Sequence, residues 1–130
     1  MKALLLIAHG SRREASNQEV RDLAQRLEQI AGERFDIVVP AFLELAKPDI
    51  PTGVDCCVEV GVTQVIAVPY FLAAGRHVVT DIPEELAKAQ RRYPGLDLRQ
   101  SDYLGQHDAI IGILLALAQE SAAQEDSSAA

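Results

Sequence analysis

Short apolar runs alternate along this chain with stretches whose apolar residues recur every three or four positions. Residues 2–8, Lys2-Ala-Leu-Leu-Leu-Ile-Ala8, form one continuous apolar run, the signature of a strand covered on both faces. From Glu14 to Ala31 the apolar positions Val20, Leu23, Ala24, Leu27 and Ile30 keep helical spacing, and Gly32 supplies a helix end. Phe35–Ala41 predicts a second strand and Phe42–Ile50 a loop. Pro51 opens a helix that runs to Val60 and stops at Gly61. Thr63–Val68 predicts a third strand, followed by a long loop over residues 69–80. Asp81 then caps a helix with Pro83 in its first turn, ending before Pro94-Gly95. Leu96–Arg99 predicts a fourth, weaker strand near a sheet edge. His107 to about Glu120 predicts the last helix, with Ile110, Ile111, Leu114, Leu115 and Leu117 on one face.

Strands that alternate with helices imply a parallel sheet joined by right-handed crossovers. The expected fold is therefore α/β: a three-layer sandwich with a small, mainly parallel four-stranded sheet and helices on both faces. One domain is expected over residues 1–120. The Ala/Ser-rich residues 121–130 are expected to form a C-terminal tail without fixed structure.

Composition narrows the function. At 130 residues the chain suits one domain. A net charge of −7 and the absence of Trp oppose nucleic-acid binding, which needs cations for phosphates and aromatic rings for bases. The N-terminal apolar run is too short for a membrane span, so no membrane partner is expected. Cys56 and Cys57 are adjacent, which suits neither a disulfide framework nor a C-x-x-C site. Free thiols make the cytoplasm the expected location.

The candidate chemistry lies just past the strands. His9 follows the first, in His9-Gly-Ser-Arg-Arg13, and His77 closes the loop Pro69-Tyr-Phe-Leu-Ala-Ala-Gly-Arg-His77 after the third. In an open parallel sheet the carboxyl ends of the strands border one crevice, where ligands bind. Two imidazoles brought there from distant segments can share one divalent first-row metal ion. Glu44, past the second strand, is a possible carboxylate ligand or proton acceptor; pairing with Lys47 is an equally good reading. Ser11, Arg12, Arg13 and Arg76 suit an anion, because guanidinium groups bind carboxylates through two hydrogen bonds. Tyr70, Phe71 and Leu72 are either core or a wall against a flat hydrophobic ring, and a split of roles among them is favoured. A hydrolase built on Ser11 and His9 is a weaker reading, since no Gly-x-Ser-x-Gly elbow is present. His107 has no partner signature.

Taken in order, Leu4-Leu-Leu-Ile-Ala-His9-Gly-Ser-Arg12, Ala41-Phe-Leu-Glu44 with Pro48-Asp-Ile50, and Val68-Pro-Tyr-Phe-Leu-Ala-Ala-Gly75-Arg-His77 with Asp81-Ile-Pro83 resemble the small CbiX-type chelatases. The match covers about two-thirds of the chain; Thr52-Gly53 and the Cys56-Cys57 pair depart from the family's pattern. The resemblance implies a lyase that inserts divalent cobalt, iron or nickel into sirohydrochlorin or a related tetrapyrrole, in cobalamin or sirohaem biosynthesis. It implies no organic cofactor, the metal ion itself being a substrate, and a homodimer whose copies face each other across the cleft. It assigns metal binding to His9 and His77 and a catalytic role to both and to Glu44. Ser11, Arg12, Arg13, Arg76, Tyr70 and Phe71 would bind the tetrapyrrole. The alternative is a metal-binding carrier or regulatory module without catalysis on the same fold.

Overall fold

The computed structural model describes residues 1–129. Strands β1 (Lys2–Ala8), β2 (Ile37–Phe42), β3 (Gln64–Pro69) and β4 (Asp97–Gln100) form one sheet in the order β2-β1-β3-β4. All pairings are parallel, with Leu4 opposite Val38 and Ile66, and Ile66 opposite Arg99. Pro40 lacks an N–H to give to a ladder, and β2 tolerates it because it lies at the sheet edge.

The alternation of side chains along a strand divides β1 between two cores. Ala3, Leu5 and Ile7 point into the larger one, with Val65 and Ala67 of β3. Helices α2 (Ile50–Glu59) and α3 (Ile82–Arg92) close it with Ile50, Val54, Cys57, Ile82, Leu86 and Ala89. Leu6 and Ala8 point to the opposite face, where α1 (Glu14–Ala31) supplies Val20 and Ala24 above Val38 and Phe42 of β2. The sheet thus carries helices on both faces, as its hydrophobic pattern requires. Gly53 lets α2 approach closely: a Cβ there would lie 3.1 Å from both Ala41 and Leu5.

Two segments differ from the sequence-based expectation. Residues 77–81, expected as the end of a loop, form a π-helical turn that runs directly into α3. Asp81 accordingly has helical backbone angles and makes no side-chain cap, because its carboxylate is engaged by His77. The last helix, α4, spans Ala109–Ala129. It starts two residues later than expected and continues through most of the stretch expected as an unstructured tail. Its Ala-rich sequence beyond Glu120 contains no helix breaker. Among the described residues, no helix is long and apolar enough to cross a membrane.

Candidate active site

The carboxyl ends of three adjacent strands deliver the chemistry to one rim. Beyond the strands, parallel pairing continues for a few residues: Leu43 N–H donates to Ala8 O, Glu44 N–H to His9 O, and Tyr70 N–H to Ile7 O. Glu44 is thereby pinned beside His9. Gly10, at φ +91°, turns the backbone between them. A Cβ on Gly10 would fall 1.7 Å from the carbonyl oxygen of Glu44, so only glycine fits.

The two histidine rings meet edge to face, with centroids 4.6 Å apart. His9 Nδ1 lies 2.9 Å from Gly10 O. A carbonyl only accepts, so His9 carries its proton on Nδ1 and leaves Nε2 free. That Nε2 lies 3.2 Å from Glu44 Oε1. With Nδ1 protonated and the carboxylate ionised, two lone pairs face each other across this gap. Only a proton or another cation between them makes the contact favourable. His77 is held in the same sense: its Nδ1 is 2.8 Å from Asp81 Oδ2, which leaves Nε2 available. A carboxylate behind a metal-binding imidazole fixes its tautomer and raises its basicity. His77, Asp81, Glu44, Leu43, Glu84 and Glu85 line a hollow of about 150 Å³. Its carboxylates favour a cation. Among the described residues, no group of three or more His, Cys, Asp or Glu side chains is arranged to hold a metal ion. The site offers two imidazole nitrogens with carboxylates beside them, a donor set suited to a loosely held divalent ion.

Asn17, which the sequence-based reading passed over, holds the first loop in place. It is 2% exposed. Its Oδ1 accepts from Ser11 N–H, and its Nδ2 donates to Ser11 O and Glu14 Oε2. Asp81 is the other residue read for a different role; the His77-x-x-x-Asp81 spacing was its only signal. Ser11 Oγ accepts from Arg13 N–H, and both ring nitrogens of His9 face other groups. The arrangement therefore provides no serine–histidine dyad. Arg12, Arg13 and Arg76 are exposed on the loops around the rim. Phe71 packs against the larger core, and Tyr70 is exposed. His107 lies elsewhere, its Nδ1 accepting from Ala109 N–H.

Both the sequence and the four-stranded α/β fold match known proteins. The chain belongs to the CbiX family, whose model covers residues 3–121. It is 34% identical over 118 residues to the sirohydrochlorin ferrochelatase of Priestia megaterium, covering 88% of this chain and 42% of that one. It is 38% identical over 86 residues to the sirohydrochlorin cobaltochelatase of Methanopyrus kandleri, covering 66% and 59% respectively. The crystal structure of the sirohydrochlorin chelatase SirB from Bacillus subtilis subspecies spizizenii in complex with cobalt superposes with a TM-score of 0.82 at 29% identity. That match covers 92% of this chain and 50% of the other. The chain spans roughly half the length of these relatives.

Proposed function

We propose that this protein inserts a divalent metal ion (cobalt, iron or nickel) into sirohydrochlorin or a related tetrapyrrole, as a lyase of cobalamin- or sirohaem-type biosynthesis. The observation that carries this reading is the 4.6 Å separation of the His9 and His77 rings at the rim. The names of the similar proteins, ferrochelatase and cobaltochelatase, support it. The ion is a substrate, and no organic cofactor is needed, because insertion exchanges ring protons for metal without electron transfer.

Each imidazole has its Nδ1 tied back, to Gly10 O or to Asp81. Nε2 of His9 and Nε2 of His77 therefore hold the ion from one side, and open coordination positions remain for ring nitrogens. Two nitrogen donors bind more weakly than the four of the macrocycle, so transfer runs toward the ring. Entry of a divalent ion displaces two pyrrole N–H protons. Once the ion leaves, His9 Nε2 and the Glu44 carboxylate again face each other, 3.2 Å apart. A proton taken up there relieves their repulsion. Glu44 and the histidines thus serve as proton acceptors. Ser11, Arg12, Arg13 and Arg76 orient the ring carboxylates, and the exposed Tyr70 flanks the macrocycle, with Phe71 packed behind it against the larger core. We further infer a cytoplasmic homodimer.

The test is anaerobic. Sirohydrochlorin and Co²⁺, Fe²⁺ or Ni²⁺ are mixed with the protein, and the visible spectrum is followed. Acceleration over the protein-free control, lost in His9→Ala and His77→Ala, supports the proposal. No acceleration with any of the metals rejects it.

A further inference from the structure

Helix α1 carries a polar stripe that touches both loops of the His9–Glu44 contact. Glu14, Asn17 and Arg21 follow at steps of three and then four residues, so they share one face of the helix. Asn17 grips the backbone of Ser11, in the loop that leaves His9. Arg21 Nη2 donates to Lys47 O at 3.3 Å, in the loop that carries Glu44. Glu14 joins the two: its Oε1 accepts from Arg21 and its Oε2 from Asn17. Those hydrogen bonds hold its carboxyl below the usual 4.5. The Arg21 guanidinium carbon also lies 5.4 Å from the centre of the Phe42 ring, within cation–π range.

The Glu44 loop needs such a tie. Phe42 N–H donates to Pro48 O, which closes residues 43–47 into a protruding turn. Leu45 holds a left-handed backbone at φ +65°, a conformation that a leucine side chain disfavours. Leu43 and Ala46 pack partly on the two cores, but an open hollow of about 720 Å³ runs along residues 43–49. Packing therefore holds one side of the loop only. Glu44 N–H, donating to His9 O at 3.1 Å, links the loop back to His9. The path from His9 through Asn17, Glu14 and Arg21 to Lys47 thus returns to His9 by way of Glu44. A plain surface ion pair contributes little. Arg21 does more than pair with Glu14: its side chain is 29% exposed against 72% for Glu14, and a second nitrogen reaches a carbonyl on another segment.

We propose that Arg21 is a positioning residue: it ties the Glu44 loop to α1, as Asn17 ties the His9 loop, and so sets the 3.2 Å approach of Glu44 Oε1 to His9 Nε2. Arg21 touches neither histidine's free nitrogen and acts through Glu44. The catalytic consequence rests on the proposed metal insertion; the brace itself does not.

The experiment starts from Arg21→Met, which keeps an unbranched side chain over Phe42 and removes every donor. Amide hydrogen exchange read by NMR should speed up at Glu44 by about tenfold, the change expected for losing one hydrogen bond, while the β1 amides stay protected. In the anaerobic insertion assay kcat should fall about tenfold with Co²⁺ affinity retained. Arg21→Lys should recover part of the rate, and Arg21→Gln repeats the comparison if Arg21→Met fails to fold. The decisive arm places Arg21→Met in a Glu44→Gln background. A residue that acts through Glu44 loses its effect there, so kcat should change by less than about twofold. An equal fall in both backgrounds would make Arg21 a structural residue of α1 and overturn the inference. Unchanged exchange at Glu44 in Arg21→Met would overturn it as well. A wild-type protein that inserts no metal would instead reject the proposed function, and the exchange result would then decide the brace by itself.

Discussion

Asp81 turns its carboxylate away from the helix it precedes and onto Nδ1 of His77, 2.8 Å distant. The π-helical turn over His77–Asp81 sets this contact at the rim of the site. If the contact orients the imidazole for an ion, Asp81→Ala should weaken Co²⁺ binding by about 10–100-fold. Thermal unfolding should change little, because Asp81 caps nothing. Asp81→Asn, which keeps an acceptor, should recover part of the affinity. Calorimetric titration of Co²⁺ into the three proteins measures this.

Glu44 separates binding from turnover. Glu44→Gln keeps the size of the side chain and removes its charge and basicity. The proposed proton-accepting role predicts a fall in kcat of about 100-fold, with a much smaller change in Co²⁺ affinity. Stopped-flow insertion measurements at saturating metal check the first part. Equal losses in both quantities would make Glu44 a plain metal ligand.

Gly10→Ala should damage fold and site together. The backbone there is left-handed, and a methyl group collides with the Glu44 carbonyl. Urea unfolding should show a loss of at least about 2 kcal/mol, with cobalt binding abolished.

Acid stability follows from helix caps and paired carboxylates. Asp49 accepts the N–H of Thr52 at the start of α2, and that hydrogen bond holds its carboxyl below the usual 3.8. Asp97 is lowered too, chiefly by Arg99. A lowered folded-state value stabilises the ionised form. The contribution is therefore full above pH 3.8 and lost as pH falls through the lowered values. The urea midpoint should drop in that acidic window. Asp49→Ala should cost about 1 kcal/mol at neutral pH and should shed less stability on acidification than the wild type.

The adjacent cysteines should behave differently. Cys57 is buried in the larger core, and loss of solvent pushes its thiol up to about 11, with Cys56 adding to the effect. Cys56 is exposed. Iodoacetamide at pH 8 should label Cys56 and leave Cys57 unmodified until the protein unfolds, as peptide mapping would show.

The strands and helices were legible because each has a pattern of its own period. α1 fills the expected span of Glu14–Ala31, and β1 fills Lys2–Ala8. The meeting of His9 with His77 was legible in outline, since both follow strands that a parallel sheet places side by side. The contact of His9 with Glu44 depends on pairing that continues past the strand ends, which no periodicity records. The role of Asp81 was hidden because an acid before Ile-Pro reads as a cap; only the π-helical turn makes it a partner of His77. Asn17 was hidden for a related reason: a lone polar residue on an amphipathic helix gives no sign that a loop folds onto it. The apolar residues of α4 were visible in sequence, but their exposure depends on where the helix goes after Gly105.

The central claim is that His9 and His77 grip one cation. Pulsed electron paramagnetic resonance of the protein loaded with one equivalent of Cu²⁺ counts the imidazoles bound to that ion. The account predicts two in the wild type, one in His9→Ala, one in His77→Ala, and two in a His107→Ala control. A single coordinated imidazole in the wild type, or two that persist after either site histidine is removed, would contradict it.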